Sequence, residues 1–133
     1  MLPLYFNRSY PYLRPATVYM PLLPVRIYHG ASYVDILALV DSGAEIAVCD
    51  DSVAVALGLN TAMLPQRSFQ GLGGAPSLPV AQLDIEAERR LFAIEIAFAP
   101  LGTSFALVGR TGVFDRIRFG FDHGLVPPNL LVD

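Results

Sequence analysis

Apolar and polar positions alternate along much of the chain, and the breaks in that alternation divide it into short strands. Thr17 to Tyr28 is rich in Val, Tyr and Leu but carries Pro21 and Pro24, which fits an edge or bent strand. His29-Gly30-Ala31-Ser32 supplies a turn, and Tyr33 to Val40 returns as the second arm of a hairpin. That arm ends in the run Ile36-Leu37-Ala38-Leu39-Val40, too short for a membrane span and read as a buried strand, which breaks abruptly into Asp41-Ser42-Gly43-Ala44. A carboxylate delivered to the interior is costly unless it is hydrogen-bonded, paired or made to share a proton.

Further along, Ile46 to Cys49 reads as a short buried strand, and Asp50 or Asp51 can cap a helix over Ser52 to Leu57 with Gly58 at its end. Arg67 to Gln70 enters, and Leu78 to Glu86 leaves, a hairpin whose tip is Gly71-Leu72-Gly73-Gly74-Ala75-Pro76. Leu83, Ile85 and Ala87, then Phe92, Ile94, Ile96 and Phe98, keep the period of two expected of strands. Phe105 to Val108 is a second apolar run, broken at Gly109-Arg110. One or two helical turns over Thr111 to Ile117 and a strand over Arg118 to Phe121 follow. The pattern predicts an all-β domain over 17–123, between an extended, proline-marked arm over 1–16 and a tail over 124–133.

Composition narrows the chemistry. At 133 residues the chain fits one domain. Its charged fraction of 16%, against a usual share of about 25%, predicts that some apolar surface meets a partner. The net charge of -3, with no basic block, argues against nucleic acid. All nine bases are arginine, which excludes Schiff-base lysine chemistry and a Walker-type phosphate loop. Cys49 stands alone, so there is no intrachain disulfide, and it reads as a small buried hydrophobe without a neighbouring base. The N-terminal residues lack a basic region followed by an apolar core, and no stretch reaches the roughly 18 apolar residues of a membrane helix. A cytoplasmic protein without a membrane span is expected, in which the sequon Asn7-Arg8-Ser9 is a chance match.

Two stretches echo one another. Ala38-Leu39-Val40-Asp41-Ser42-Gly43 and Ala106-Leu107-Val108-Gly109-Arg110-Thr111-Gly112 are each an apolar strand breaking into a glycine-containing turn. Only the first carries an acid. A site needing two carboxylates cannot be built from these repeats in one chain, but two chains could build it.

Taken together, Leu39-Val40-Asp41-Ser42-Gly43-Ala44, the Gly71-Leu72-Gly73-Gly74 tip and Leu107-Val108-Gly109-Arg110 resemble the retropepsin-like aspartic proteases over roughly 18–122. The resemblance implies an acid-protease barrel with one or two short helices, acting as a homodimeric endopeptidase on extended peptide or protein substrates, with no metal or cofactor. It implies that Asp41 is catalytic, one from each chain, that Ser42 bonds across the pair, and that Gly43 permits close backbone approach. It further implies that Gly71 to Gly74 form a flap, that Ala44 and Glu45 touch substrate, and that Leu107, Val108, Gly109 and Arg110 support the site, with a Glu45–Arg110 ion pair. At least one terminus is expected to pair across the two-fold axis.

Other readings compete. Asp41 fits a structural turn acid, the glycine-rich tip an ordinary loop, and Arg110 a solvated turn residue. A dinucleotide fingerprint at the tip is rejected, because Pro76 and Pro79 follow where a helix is required. His29 and His123 each sit beside a glycine and read as turn residues. The competing functional class is a catalytically silent dimerisation or peptide-binding module on the same barrel. An unrelated β-domain would instead be monomeric.

Overall fold

The computed structural model describes residues 5–70 and 74–133. Its strands follow the alternation closely: β1 (Arg8–Pro11), β2 (Leu22–His29), β3 (Ser32–Val40), β4 (Ala47–Asp50), β5 (Gln66–Ser68), β6 (Ser77–Ala87), β7 (Arg90–Ala99), β8 (Phe105–Val108), β9 (Phe119–Asp122) and β10 (Asn129–Val132). Strands run in the order β2-β3-β8-β4-β7-β6-β5, and pairing of β2 with β6 closes six of them into a barrel. Closure removes most free edges. It also gives the apolar alternates one shared interior, where Leu23, Ile27, Ile85, Ile96, Phe98 and Val108 are almost wholly buried. Among the described residues no helix is long and apolar enough to cross a membrane.

The two echoing stretches lie side by side. β3 and β8 are parallel, with Ala38 opposite Ala106, Leu39 opposite Leu107 and Val40 opposite Val108. The ladder runs one step beyond the strands, where the Asp41 N–H donates to the Val108 carbonyl across 3.0 Å. Asp41 and Gly109 thus follow equivalent strand ends at the same level of the barrel.

Helix α1 (Asp51–Ala56) starts where the acids predict. The Asp50 carboxylate accepts from the Ser52 hydroxyl (2.6 Å), the Ser52 N–H (3.1 Å) and the Gly102 N–H (2.9 Å), so one side chain caps the helix and pins the loop after β7. Those bonds, led by the Ser52 hydroxyl and then the Gly102 N–H, pull Asp50 from an ordinary carboxylate's 3.8 down to about 2. A depressed carboxyl contributes stability that is whole above the unfolded value and is lost as pH falls toward the folded one. Acid titration of thermal stability from about pH 4 to about pH 2 should therefore show a steeper loss in the wild type than in Asp50→Asn.

Cys49, on β4, is 1% exposed. Burial, helped by the neighbouring Asp50 charge, pushes its thiol up to about 12. The native protein should resist thiol reagents at neutral pH and take up one equivalent only on unfolding.

The chain ends depart from the expectation of an outlying arm and tail. β1 pairs with β10 and β10 with β9, all antiparallel, making a second sheet of three strands. Tyr12, Leu130 and Val132 join the barrel core. The prolines still mark extended backbone, but the termini pair with each other within the chain, because Leu130 and Val132 alternate with half-buried partners and need a sheet to bury them.

Candidate active site

Asp41 emerges half-buried from the end of β3, and Ser42 and Gly43 beyond it are exposed. The expected deep burial of the acid is not found. The strand carries it to the rim of the barrel, where the chain turns back at once, the Ala44 N–H donating to the Asp41 carbonyl across 3.1 Å. Inside that turn the Gly43 N–H donates to Asp41 Oδ1 at 2.8 Å, which fixes the carboxylate plane. No hydrogen bond to Oδ2 is present among the described residues, so one oxygen is held and the other is available. The position of Gly43 is tight, since a methyl group there would lie 3.2 Å from Asp41 Oδ1.

The loop after β8 locks the turn from below. The Arg110 N–H donates to the Ala44 carbonyl (3.0 Å) and the Thr111 N–H to the Glu45 carbonyl (2.8 Å). Gly109, fully buried, lies directly under Ala44: a methyl group on it would sit 2.8 Å from the Ala44 carbonyl carbon and nearer still to its oxygen. The position matching Asp41 in the second repeat is therefore closed to any side chain. That position supplies no second carboxylate.

The expected Glu45–Arg110 ion pair is absent among the described residues. Both side chains are exposed, and the two loops are joined by main-chain bonds instead, which leaves the charged groups in solvent where pairing gains little. Leu107 and Val108 lie on β8, the strand that leads into Gly109. At the glycine-rich tip, Gly71, Leu72 and Gly73 fall outside the described residues, while Gly74 is exposed with a φ of 112°. Gln66–Ser68 and Ser77–Pro79 pair antiparallel at its base, as a hairpin requires.

Beside the Asp41 turn lies an apolar groove that the sequence reading did not identify. Ala44 and Glu45 form one rim, and Ile46, Val48, Phe69, Leu78 and Ala97 line it, in a hollow of about 180 Å³. Its signal in the sequence was present but indirect: Ile46 and Val48 alternate with the core-facing Ala47 and Cys49, so they had to face something else. Arg67 braces the hairpin above, stacked over Phe69 with 5.1 Å to the ring centre and paired with Glu95. A larger hollow of about 550 Å³ lies elsewhere, between β2, β3 and the end of β6. Of its four charged groups, Arg26 and Asp35 satisfy each other at 2.7 and 3.0 Å, Glu86 accepts from the Tyr28 hydroxyl at 3.0 Å and Glu88 from the Tyr10 hydroxyl at 2.6 Å, and no Asp41-loop residue reaches the hollow.

By sequence the chain matches no protein-family model and no curated protein. By structure it is similar to a retropepsin-like aspartic protease from Rickettsia conorii, with a TM-score of 0.62 and 15% identity over 93% of this chain and 97% of that one. The EIAV protease complexed with the inhibitor HBY-793 gives a TM-score of 0.55 at 18% identity, covering 72% and 86%. The simian foamy virus (mac) protease gives 0.50 at 19%, covering 69% and 90%. The fold is that of the retropepsin-like aspartic proteases. Within it the Asp41-Ser42-Gly43 turn stands at the end of a barrel strand, buttressed by Gly109 and edged by an apolar groove.

Proposed function

We propose that the chain is an aspartic endopeptidase that hydrolyses peptide bonds with a water held between two Asp41 carboxylates, one from each of two copies. The observation that carries this reading is the oriented Asp41 carboxylate, with Oδ1 fixed by the Gly43 N–H, beside a Gly109 that leaves no room for an acid at the matching position of the second repeat. Two carboxylates brought close share one proton and titrate as a pair; the handling of such dyads is a general pattern of aspartic proteases. The ionised member takes a proton from the water as it attacks the peptide carbonyl. The protonated member donates to the developing oxyanion, and the resulting tetrahedral species collapses with proton transfer to the leaving amine. The Ser42 hydroxyl, next to the dyad, holds the pair in register.

Substrate fits as an extended strand between the Asp41 turn and the hairpin of β5 and β6, bound through main-chain hydrogen bonds. Gly71 to Gly74 would close over it as a flap. An aliphatic side chain of the substrate would enter the groove of Ile46, Val48 and Phe69, with Ala44 and Glu45 meeting its backbone. Leu107, Val108, Gly109 and Arg110 hold the turn. No metal or cofactor takes part in these steps, and the setting is taken to be cytoplasmic.

The test is cleavage of a peptide library by the purified chain across acid to neutral pH. The expected rate profile is bell-shaped, falling at low pH when both carboxyls are protonated and at high pH when both are ionised. A dimer that binds peptides but cleaves none at any pH would replace the endopeptidase with a silent peptide-binding module.

A further inference from the structure

The three-stranded sheet has two outer edges, and they differ chemically. In the β9–β10 pair, the Asp133 N–H donates to the Arg118 carbonyl across 3.1 Å, in step with the pairs Leu131–Gly120 and Asn129–Asp122. Antiparallel partners alternate between bonded and non-bonded pairs, so Gly120 and Asp122 bond inward to β10. The N–H and C=O groups of Phe119 and Phe121 point outward. On the opposite edge the Tyr12 N–H donates to the Pro128 carbonyl (2.8 Å), which turns Arg8 and Tyr10 inward and Ser9 and Pro11 outward. Pro11 has no N–H to offer, so that edge is blunted. It is also tied back to the barrel, since the Tyr10 hydroxyl donates to Glu88 Oε1 at 2.6 Å and Arg8 lies 3.6 Å from the same carboxylate.

Among the described residues no strand covers the outer edge of β9. Phe121 is 42% exposed there and lines the same depression as Asp41 and Ser42. The geometry points to this edge as the surface that receives a second copy of the chain, with β9 pairing antiparallel to the second copy's β9 about a two-fold axis at Gly120. In that register Phe119 of each copy exchanges main-chain hydrogen bonds with Phe121 of the other. Arg118, which within its own chain pairs with Asp133 at 2.8 Å and donates to the Tyr5 carbonyl, falls opposite the second copy's Asp122, whose Oδ1 takes the Gly124 N–H. The two opposite charges face at a non-hydrogen-bonded site, where side chains are closest, so the contact adds to the intrachain bonds and does not replace them. Centring the axis on Phe121 instead would set Asp122 against Gly120 and lose that pair. Both termini then stay paired within their own chain, and the two three-stranded sheets become one continuous sheet beneath the paired Asp41 turns.

A second copy is the occupant because it is the source of the carboxylate that Gly109 excludes, and because Phe121 sets this edge beside Asp41. The interface rests on the two-copy reading of Asp41, yet it can be tested without turnover. Phe121→Pro removes an outward N–H and leaves the intrachain ladder intact; Ser9→Pro does the same at the blunted edge. Sedimentation over a concentration series should show a dimeric wild type, an unchanged Ser9→Pro, and Phe121→Pro weakened at least about tenfold, each with its circular dichroism checked. Should Phe121→Pro fail to fold, amide exchange of the wild type decides: the Phe119 and Phe121 amides should gain protection as concentration rises, and Ser9 should not. A monomeric wild type, a Phe121→Pro as dimeric as the wild type, or concentration-independent exchange at Phe119 and Phe121 would each overturn this interface. A wild type that is dimeric and is dissociated by Phe121→Pro, yet cleaves no peptide as the intact dimer, keeps the interface and sinks the protease.

Discussion

Asp41→Asn is expected to lower peptide cleavage by about 10³-fold or more while leaving the fold and the dimer in place. The amide is nearly the size of the carboxylate, and its carbonyl oxygen can still accept the Gly43 N–H that now reaches Asp41 Oδ1 at 2.8 Å. What it cannot do is take a proton from water or hold one to give to an oxyanion. Thermal melts of the variant should therefore overlay those of the wild type, and initial rates should not. Mixing sharpens the test. If each site needs one Asp41 from each of two copies, a roughly tenfold excess of the variant draws most wild-type chains into mixed pairs with one working acid, and the rate per wild-type chain should fall about tenfold by mass action. Rates that stay constant per wild-type chain, however much variant is added, would mean that each chain works alone.

The barrel was legible because nearly all of its strands alternate cleanly. Leu83, Ile85 and Ala87 face inward on β6 as their spacing demands, and Phe92, Ile94 and Ile96 do so on β7. The end of β3 was legible for a different reason, the sudden change from an apolar run to Asp41-Ser42-Gly43. The depth of the acid was not, because a run of apolar residues says that a strand is buried and nothing about how soon the chain turns after it. The Glu45–Arg110 pair failed on the same ground: opposite charges on neighbouring loops do not meet when main-chain bonds already hold those loops and the side chains have solvent to enter. The terminal sheet was hidden by Pro3, Pro11 and Pro15. A proline at the edge of a sheet and a proline in an irregular arm look alike until the partner strand, here more than a hundred residues away, is known. The groove needed Ile46 and Val48 at β4, Phe69 and Leu78 of the β5–β6 hairpin and Ala97 of β7 to be brought together, and local pattern carries no such information.

Gly109→Ala is expected to be the most damaging single-methyl addition near the site, costing about 3 kcal/mol or more of stability. The reason is not backbone strain, since Gly109 has an extended φ of -131° that alanine adopts freely. It is position. The added methyl would lie 2.8 Å from the Ala44 carbonyl carbon, so either the loop after β8 or the Asp41 turn must move. Any such movement breaks the bond from the Arg110 N–H to the Ala44 carbonyl and strains its neighbour from Thr111 to Glu45. Denaturant unfolding should show the loss directly. Gly102→Ala is the control: Gly102 has a φ of 67° but open space at the Cβ position, so it should lose only about 1 kcal/mol, from its backbone conformation. If Gly109→Ala proved no worse than Gly102→Ala, the two loops would be more yielding than their hydrogen bonds imply, and a side chain at this position would be tolerated. The claim that a second acid must come from another copy would then lose its steric basis, and the pairing of two Asp41 turns would need a different reason to exist.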